Sequence, residues 1–153
     1  MTDIKEQKQT FRPKKRLEPY TFSMLYFRKG VEPMGRYVIL RGKRGFRFNL
    51  LAINGQVVGS SEVYTTKISC FTGIESVRRI ATAASLVELL PGVTPAVPCP
   101  RFELYMDRAG EFRFRLRARN GKIVLVSEGY ARKDGCLKGI ESVRRNADSR
   151  IEE

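Results

Sequence analysis

The chain has 153 residues, 42% of them hydrophobic, with seven prolines and 29 Lys+Arg against 16 Asp+Glu. That length and apolar content suit one globular domain, or two small lobes sharing a core, and argue against a disordered chain. The net charge of +13 favours polyanionic partners, and the absence of histidine removes His-based acid–base catalysis and His metal ligation.

Residues 1–34 form an N-terminal extension. It carries the basic run "RPKKR" (12–16) and the aromatic-rich "YTFSMLYF" (20–27). Residues 1–16 read as an extended arm, and 20–27 as a segment that folds back over an apolar surface elsewhere. No run here or later reaches membrane-spanning length, and no signal-peptide core precedes the first predicted strand. Three unpatterned cysteines (70, 99 and 136) suggest neither a disulfide framework nor a zinc site, so a reducing, cytoplasmic setting is expected.

From residue 35 the chain is written twice. Repeat 1 spans 35–90, a linker with prolines at 91, 95, 98 and 100 spans 91–100, and repeat 2 spans 101–153. "CFTGIESVRR" (70–79) and "CLKGIESVRR" (136–145) share eight of ten residues at an offset of 66. "FRFNLLAINGQVVGSSEVY" (46–64) aligns with "FRFRLRARNGKIVLVSEGY" (112–130) at the same offset. "RYVILRGKRG" (36–45) matches "RFELYMDRAG" (101–110), with Glu111 as a one-residue insertion.

Each copy reads as three strands, a helix and a short last strand ("SLVELL", 85–90; "SRIEE", 149–153). Asn54-Gly55 and Asn120-Gly121 predict two-residue type I′ hairpins. Cys70, Ile74, Val77 and Ala81, and their counterparts Cys136, Ile140, Val143 and Ala147, have helical spacing and predict buried helix faces. Gly73 and Gly139 near those faces suggest close approach of helix to sheet, since glycine inside a helix costs about 0.5–1 kcal/mol relative to alanine.

The FRFRL strand, the Asn-Gly turn, Ser-Glu-Gly-Tyr (127–130) and Gly-Ile-Glu-Ser-Val (139–143) resemble the YegP-like family of tandem-repeat proteins of unassigned function. The resemblance covers about residues 35–153 and departs in repeat 1 at Ser-Glu-Val-Tyr (61–64) and a shorter first turn. It implies an α+β fold: two tandem β3-α-β repeats forming one antiparallel sheet, last strands exchanged, both helices on one face. It lends no catalytic residues.

A two-residue turn at Asn120-Gly121 sets Arg119 opposite Lys122, Arg117 opposite Val124, Arg115 opposite Val126 and Arg113 opposite Glu128. Arg113–Glu128 and Arg47–Glu62 are then expected ion pairs. Arg115, Arg117 and Arg119 are left without a carboxylate, on a face shared with Lys122, Val124, Val126, Glu103 and Tyr105. This basic surface with one aromatic is a candidate for phosphates and a stacked base. Arg78, Arg79, Arg144 and Arg145 on the helices form a rival patch diluted by Glu75 and Glu141. In repeat 1 the same face carries Val38, Leu40, Asn49, Leu51, Ile53, Val58 and Ser60. Val38, Leu40, Leu51 and Ile53, with Tyr20 and Phe22 of the extension, are candidate protein-interaction residues.

No Ser-His pairing, phosphate loop or metal-spaced carboxylate cluster occurs, so neither an enzyme nor a cofactor is expected. The leading expectation is a small basic nucleic-acid-binding protein, RNA ahead of DNA, free or as a subunit of a ribonucleoprotein assembly or homodimer. The alternative is a protein-interaction module docking through the apolar repeat 1 sheet face and the N-terminal extension; an acidic protein is the other expected class of partner, with no membrane involved.

Overall fold

The computed structural model describes residues 34–153, so the arm (1–16), the segment 20–27, Tyr20 and Phe22 lie outside the described residues. Residues 36–147 and 151–153 form one compact unit. Each repeat is the expected unit: β1 (Arg36–Gly42), β2 (Gly45–Leu51), β3 (Val57–Ser60), α1 (Lys67–Ile80) and β4 (Ser85–Glu88), then β5 (Arg101–Met106), β6 (Phe112–Arg117), β7 (Ile123–Val126), α2 (Lys133–Asn146) and β8 (Arg150–Glu152).

The strands form one sheet in the order β4-β5-β6-β7-β3-β2-β1-β8. The last strand of each repeat therefore lies beside the first strand of the other. From β5 through to β1 every neighbouring pair is antiparallel, but β4 and β5 run parallel, which makes the sheet mixed. The linker explains this edge. Two parallel neighbours need a connection about a dozen residues long to carry the chain back along the sheet, and residues 89–100 supply it.

Alternation along the strands sends one set of side chains towards the helices. Tyr37, Phe48, Leu50, Phe102, Leu104, Phe114, Leu116 and Leu125 are at most 2% exposed and join Cys70, Ile74, Val77, Cys136, Ile140 and Val143 in a single core. Both helices thus share one face of the sheet. Cys70 and Cys136 are buried and unpaired, and burial raises both thiol pKa values, that of Cys136 to about 11. The helical glycines have a specific cause. A Cβ on Gly73 would overlap the Tyr64 hydroxyl, and one on Gly139 the Tyr130 hydroxyl, so each repeat's Ser-Glu-X-Tyr tyrosine lies directly on its own helix. Where the repeats meet, Gly59 of β3 gives room to Leu125 of β7.

The hairpins differ from expectation. Gly55 N–H donates to the Ala52 carbonyl (2.9 Å) and Ala52 N–H to the Gln56 carbonyl (2.9 Å); Gly121, Ala118 and Lys122 repeat the pattern at 2.8 Å each. These are three-residue loops with left-handed glycine in third place (φ 86° and 87°), not two-residue Asn-Gly turns. The loop puts its left-handed position on the glycine, and the Asn54 and Asn120 Oδ1 atoms accept from the N–H two residues on (3.0 Å). Ile53 and Arg119 consequently sit in turns rather than on the sheet. Arg115 opposes Val126 as expected, but the register shifts after Leu116 and Arg117 opposes Ile123.

Neither expected Arg–Glu pair forms. Ser61 and Ser127 hydroxyls accept from Phe48 and Phe114 N–H (2.9 Å each) and donate to the Glu62 and Glu128 carbonyls, displacing the ladder where those glutamates would have faced an arginine. Arg113 turns instead to Asp107 (2.6 Å) and the Ser127 carbonyl (3.1 Å), and Arg47 has no ion-pair partner among the described residues.

Candidate nucleic-acid interface

The face away from the helices is built in repeat 2 by two adjacent strands. β5 contributes Arg101, Glu103 and Tyr105; β6 contributes Arg117, Arg115 and Arg113 directly opposite them. Like charges facing each other across a sheet are destabilising, so Arg101 opposite Arg117 requires a counter-charge. Glu103 supplies it. Its Oε2 accepts from Arg101 Nε (2.7 Å) and Arg117 Nε (2.9 Å), and its Oε1 from Arg115 Nε (2.6 Å).

Glu103 is only 1% exposed beneath these groups. Burial alone would raise its pKa; the hydrogen bonds from Arg115, Arg101 and Arg117 outweigh that and hold it below the ordinary carboxylate value. Further contacts fix the fan of guanidiniums. Arg101 also donates to the Val97 carbonyl, Arg117 to the Gly121 carbonyl (2.7 Å), and Arg115 lies 4.9 Å above the Tyr105 ring. Beside this group, the Arg113 hydrogen bond lowers the Asp107 pKa.

The structure therefore corrects the reading of Arg115 and Arg117 as arginines without a carboxylate. It brings both together with Tyr105, whose ring carries Arg115. Arg119 and Lys122 are exposed at the β6–β7 turn without ion pairs among the described residues. Sequence reasoning missed Arg101 as a member and Glu103 as the hub. The available signal was the alternation Arg101-Glu103-Tyr105, which puts a carboxylate among arginines once β5 is paired with β6.

In repeat 1, Val38, Leu40 and Leu51 share this face half-buried, while Ile53 is 60% exposed in its turn. The rival helix patch is partly drawn inward. Arg78 pairs with Glu75 (2.5 Å) and lies over Tyr37, and Arg144 donates to the Ala81 and Thr82 carbonyls and lies over Phe102. Among the described residues no cluster of three His, Cys, Asp or Glu could hold a metal, and no helix is long and apolar enough to cross a membrane.

Residues 43–88 and 107–153 each match a family model described as a domain of unknown function, DUF1508, which defines the class as a tandem two-domain protein. The chain belongs to the UPF0339 family that includes YegP. It is 33% identical to the UPF0339 protein YegP of Yersinia pestis over 119 residues, 77% of this chain and 93% of that protein. A 53-residue stretch is 62% identical to a UPF0339 protein of the ptx operon 5′ region in Stutzerimonas stutzeri, covering 33% of this chain and 48% of that one. The solution structure of yegP from E. coli, described as a protein of unknown function, superposes with a TM-score of 0.66 at 30% identity, covering 80% of this chain and 95% of that one. A UPF0339 protein from Shewanella oneidensis gives 0.64 at 27% identity, covering 78% and 90%.

Proposed function

We propose that this protein is a non-enzymatic nucleic-acid binder that grips the phosphate backbone with the helix-free face of repeat 2. The observation that carries this reading is the fan of Arg101, Arg115 and Arg117 fixed by one buried glutamate. Each guanidinium uses its Nε edge on Glu103, which leaves Nη donors for phosphate. Arginine is suited to this role because its planar donor fork matches phosphate oxygens. The side chains are preorganised, so less rotamer entropy is lost on binding.

Tyr105 serves as a platform for Arg115 and not for a base. The interface accordingly positions a backbone and reads little sequence. The free thiols of Cys70, Cys99 and Cys136 suit a reducing, cytoplasmic setting.

The test is a salt titration of binding to single-stranded RNA and DNA, comparing wild type with R119A/K122A. Those two cations are exposed at a turn and their removal leaves the Glu103 group intact. Each single-strand phosphate contact contributes about 0.7 to the slope of log K against log salt, so the pair should flatten it by about 1.4. Wild type that ignores both nucleic acids at low salt would overturn the reading and turn attention to an acidic protein partner.

A further inference from the structure

The segment "RGKRGFR" (41–47) places Arg41, Lys43, Arg44 and Arg47 around the β1–β2 turn of repeat 1, all exposed. None of the four makes an ion pair among the described residues, although the Arg41 guanidinium lies 5.5 Å from the centre of the Phe46 ring. Together with Leu40, Phe46 and Val63 they line an open pocket of about 280 Å³. The corresponding turn of repeat 2 is different in kind. It carries Asp107, whose carboxylate binds Arg113 and accepts from the Ala109 and Glu111 N–H groups at 2.9 Å.

The topology decides what this basic turn sits beside. β2 to β3, β3 to β7 and β7 to β6 are three successive antiparallel steps, so β6 runs opposite to β2. The start of β2 and the end of β6 are therefore at the same end of the sheet. This brings the β1–β2 turn to the same rim as the β6–β7 turn with Arg119 and Lys122, separated by three strand spacings of about 4.8 Å, roughly 14 Å. Arg101 and Arg117, paired with each other in register, lie at that end as well. Glu62, following β3, lies inward of the two turns, in an open pocket that also holds Glu111, Arg113 and Glu128. The opposite end carries the other two turns, with Asp107, Glu111 and Glu128 among its charges.

We infer that the nucleic-acid track crosses both repeats along this rim, from Arg101 and Arg117 past Arg119 and Lys122 to Arg41, Lys43, Arg44 and Arg47, and that its occupant is a single strand. The inference rests on the nucleic-acid reading above. At physiological salt exposed charges act over about 8 Å, so the two turns are separate electrostatic sites that a flexible strand must bridge. Single-stranded nucleic acid does this in proteins that follow its backbone along a basic groove.

The experiment measures binding of the full chain to an oligouridylate of about 10 nucleotides, within the site sizes of such proteins, over a salt series. Wild type is compared with K43A/R44A, R119A/K122A and the combined fourfold variant. Lys43 and Arg44 occupy a two-residue turn between Gly42 and Gly45, so their loss should leave the melting temperature unchanged. The expected result is a flattening of the salt slope by about 1.4 for each double variant and about 2.8 for the fourfold one. K43A/R44A with wild-type affinity and slope, while R119A/K122A loses both, would overturn the two-repeat track and leave the repeat 2 reading standing. A wild type that does not bind removes both.

Discussion

The two repeats are the same protein on one face of the sheet and different proteins on the other. Facing the helices, Phe48 and Phe114, Leu50 and Leu116, Cys70 and Cys136, Ile74 and Ile140, and Val77 and Val143 occupy equivalent buried places. On the opposite face Glu103, Tyr105, Arg115 and Arg117 correspond to Val38, Leu40, Asn49 and Leu51. The position of Arg115, which binds the β5 carboxylate in repeat 2, is Asn49 in repeat 1, and its side chain accepts a neutral hydrogen bond from Ser60 of β3 (2.8 Å) instead. The difference teaches that the helix-facing half specifies the fold and the other half is free to change. It also shows that the charged solution comes as a unit: the carboxylate and the two β6 arginines are present together in one copy and absent together in the other.

Transplanting one face onto the other is the largest perturbation. Glu103→Val introduces the repeat 1 residue alone and leaves three guanidiniums, each 17–27% exposed, without their counter-charge. Removing one partner of such a buried group costs about 3–5 kcal/mol, measurable by urea denaturation. E103V/R115N/R117L transplants the charged positions together and should recover most of that loss while weakening nucleic-acid binding. Equal stability of E103V and wild type would break the claim that the cluster is a unit. The triple variant should also differ in acid. The Glu103 pKa is lowered on folding, so its contribution is present above the unfolded value of about 4.3 and is lost as pH falls through the folded one. Wild type should therefore lose more stability than the triple variant below about pH 4.3.

The shared face should respond alike in both copies. Gly73→Ala and Gly139→Ala each push a methyl into a tyrosine hydroxyl, and overpacking of this kind costs about 1–3 kcal/mol. That outweighs the roughly 0.5–1 kcal/mol that alanine gains in a helix. Adding Tyr64→Phe or Tyr130→Phe should relieve the matching glycine variant in part, since the ring carbon Cζ would still lie 2.7 Å or 2.9 Å from the new methyl. Strongly unequal losses in the two repeats would show that the common face is less equivalent than its geometry. The smallest effect is expected at Arg113→Ala. It should leave stability nearly unchanged, while the Asp107 pKa, now without the Arg113 hydrogen bond, rises towards the ordinary carboxylate value in an NMR titration.

The fold was legible because it is written twice at a fixed offset. Cys136, Ile140 and Val143 at helical spacing, and Phe112, Phe114 and Leu116 at strand spacing, each found the core. The turns were less legible because Asn-Gly serves two geometries, and here the Lys122 N–H donates to Asn120 Oδ1 in a loop one residue longer than expected. One residue of turn length then moved Arg119 off the sheet. The partners of Arg115 and Arg117 were hidden for a different reason. They lie on β5, across a turn whose length is set by Asp107 and Gly110, whereas the Asn-Gly signal specifies pairing only within the β6–β7 hairpin. The basic rim was least legible, since it joins turns that are not equivalent in the repeat and meet only through strand direction.

The exchange of last strands has a consequence for assembly. Neither repeat holds its own edge: β4 lies against β5, and β8 against β1. Cutting within residues 91–100 would leave each half with one strand made for the other and one position unfilled. The proline-rich linker therefore acts as a tether. It turns a meeting of two fragments, whose rate would depend on their concentration, into closure within one chain, where a short link provides an effective concentration in the millimolar range. Because the pairings that complete each repeat span the linker, the two repeats should acquire stability together, as one cooperative transition rather than two.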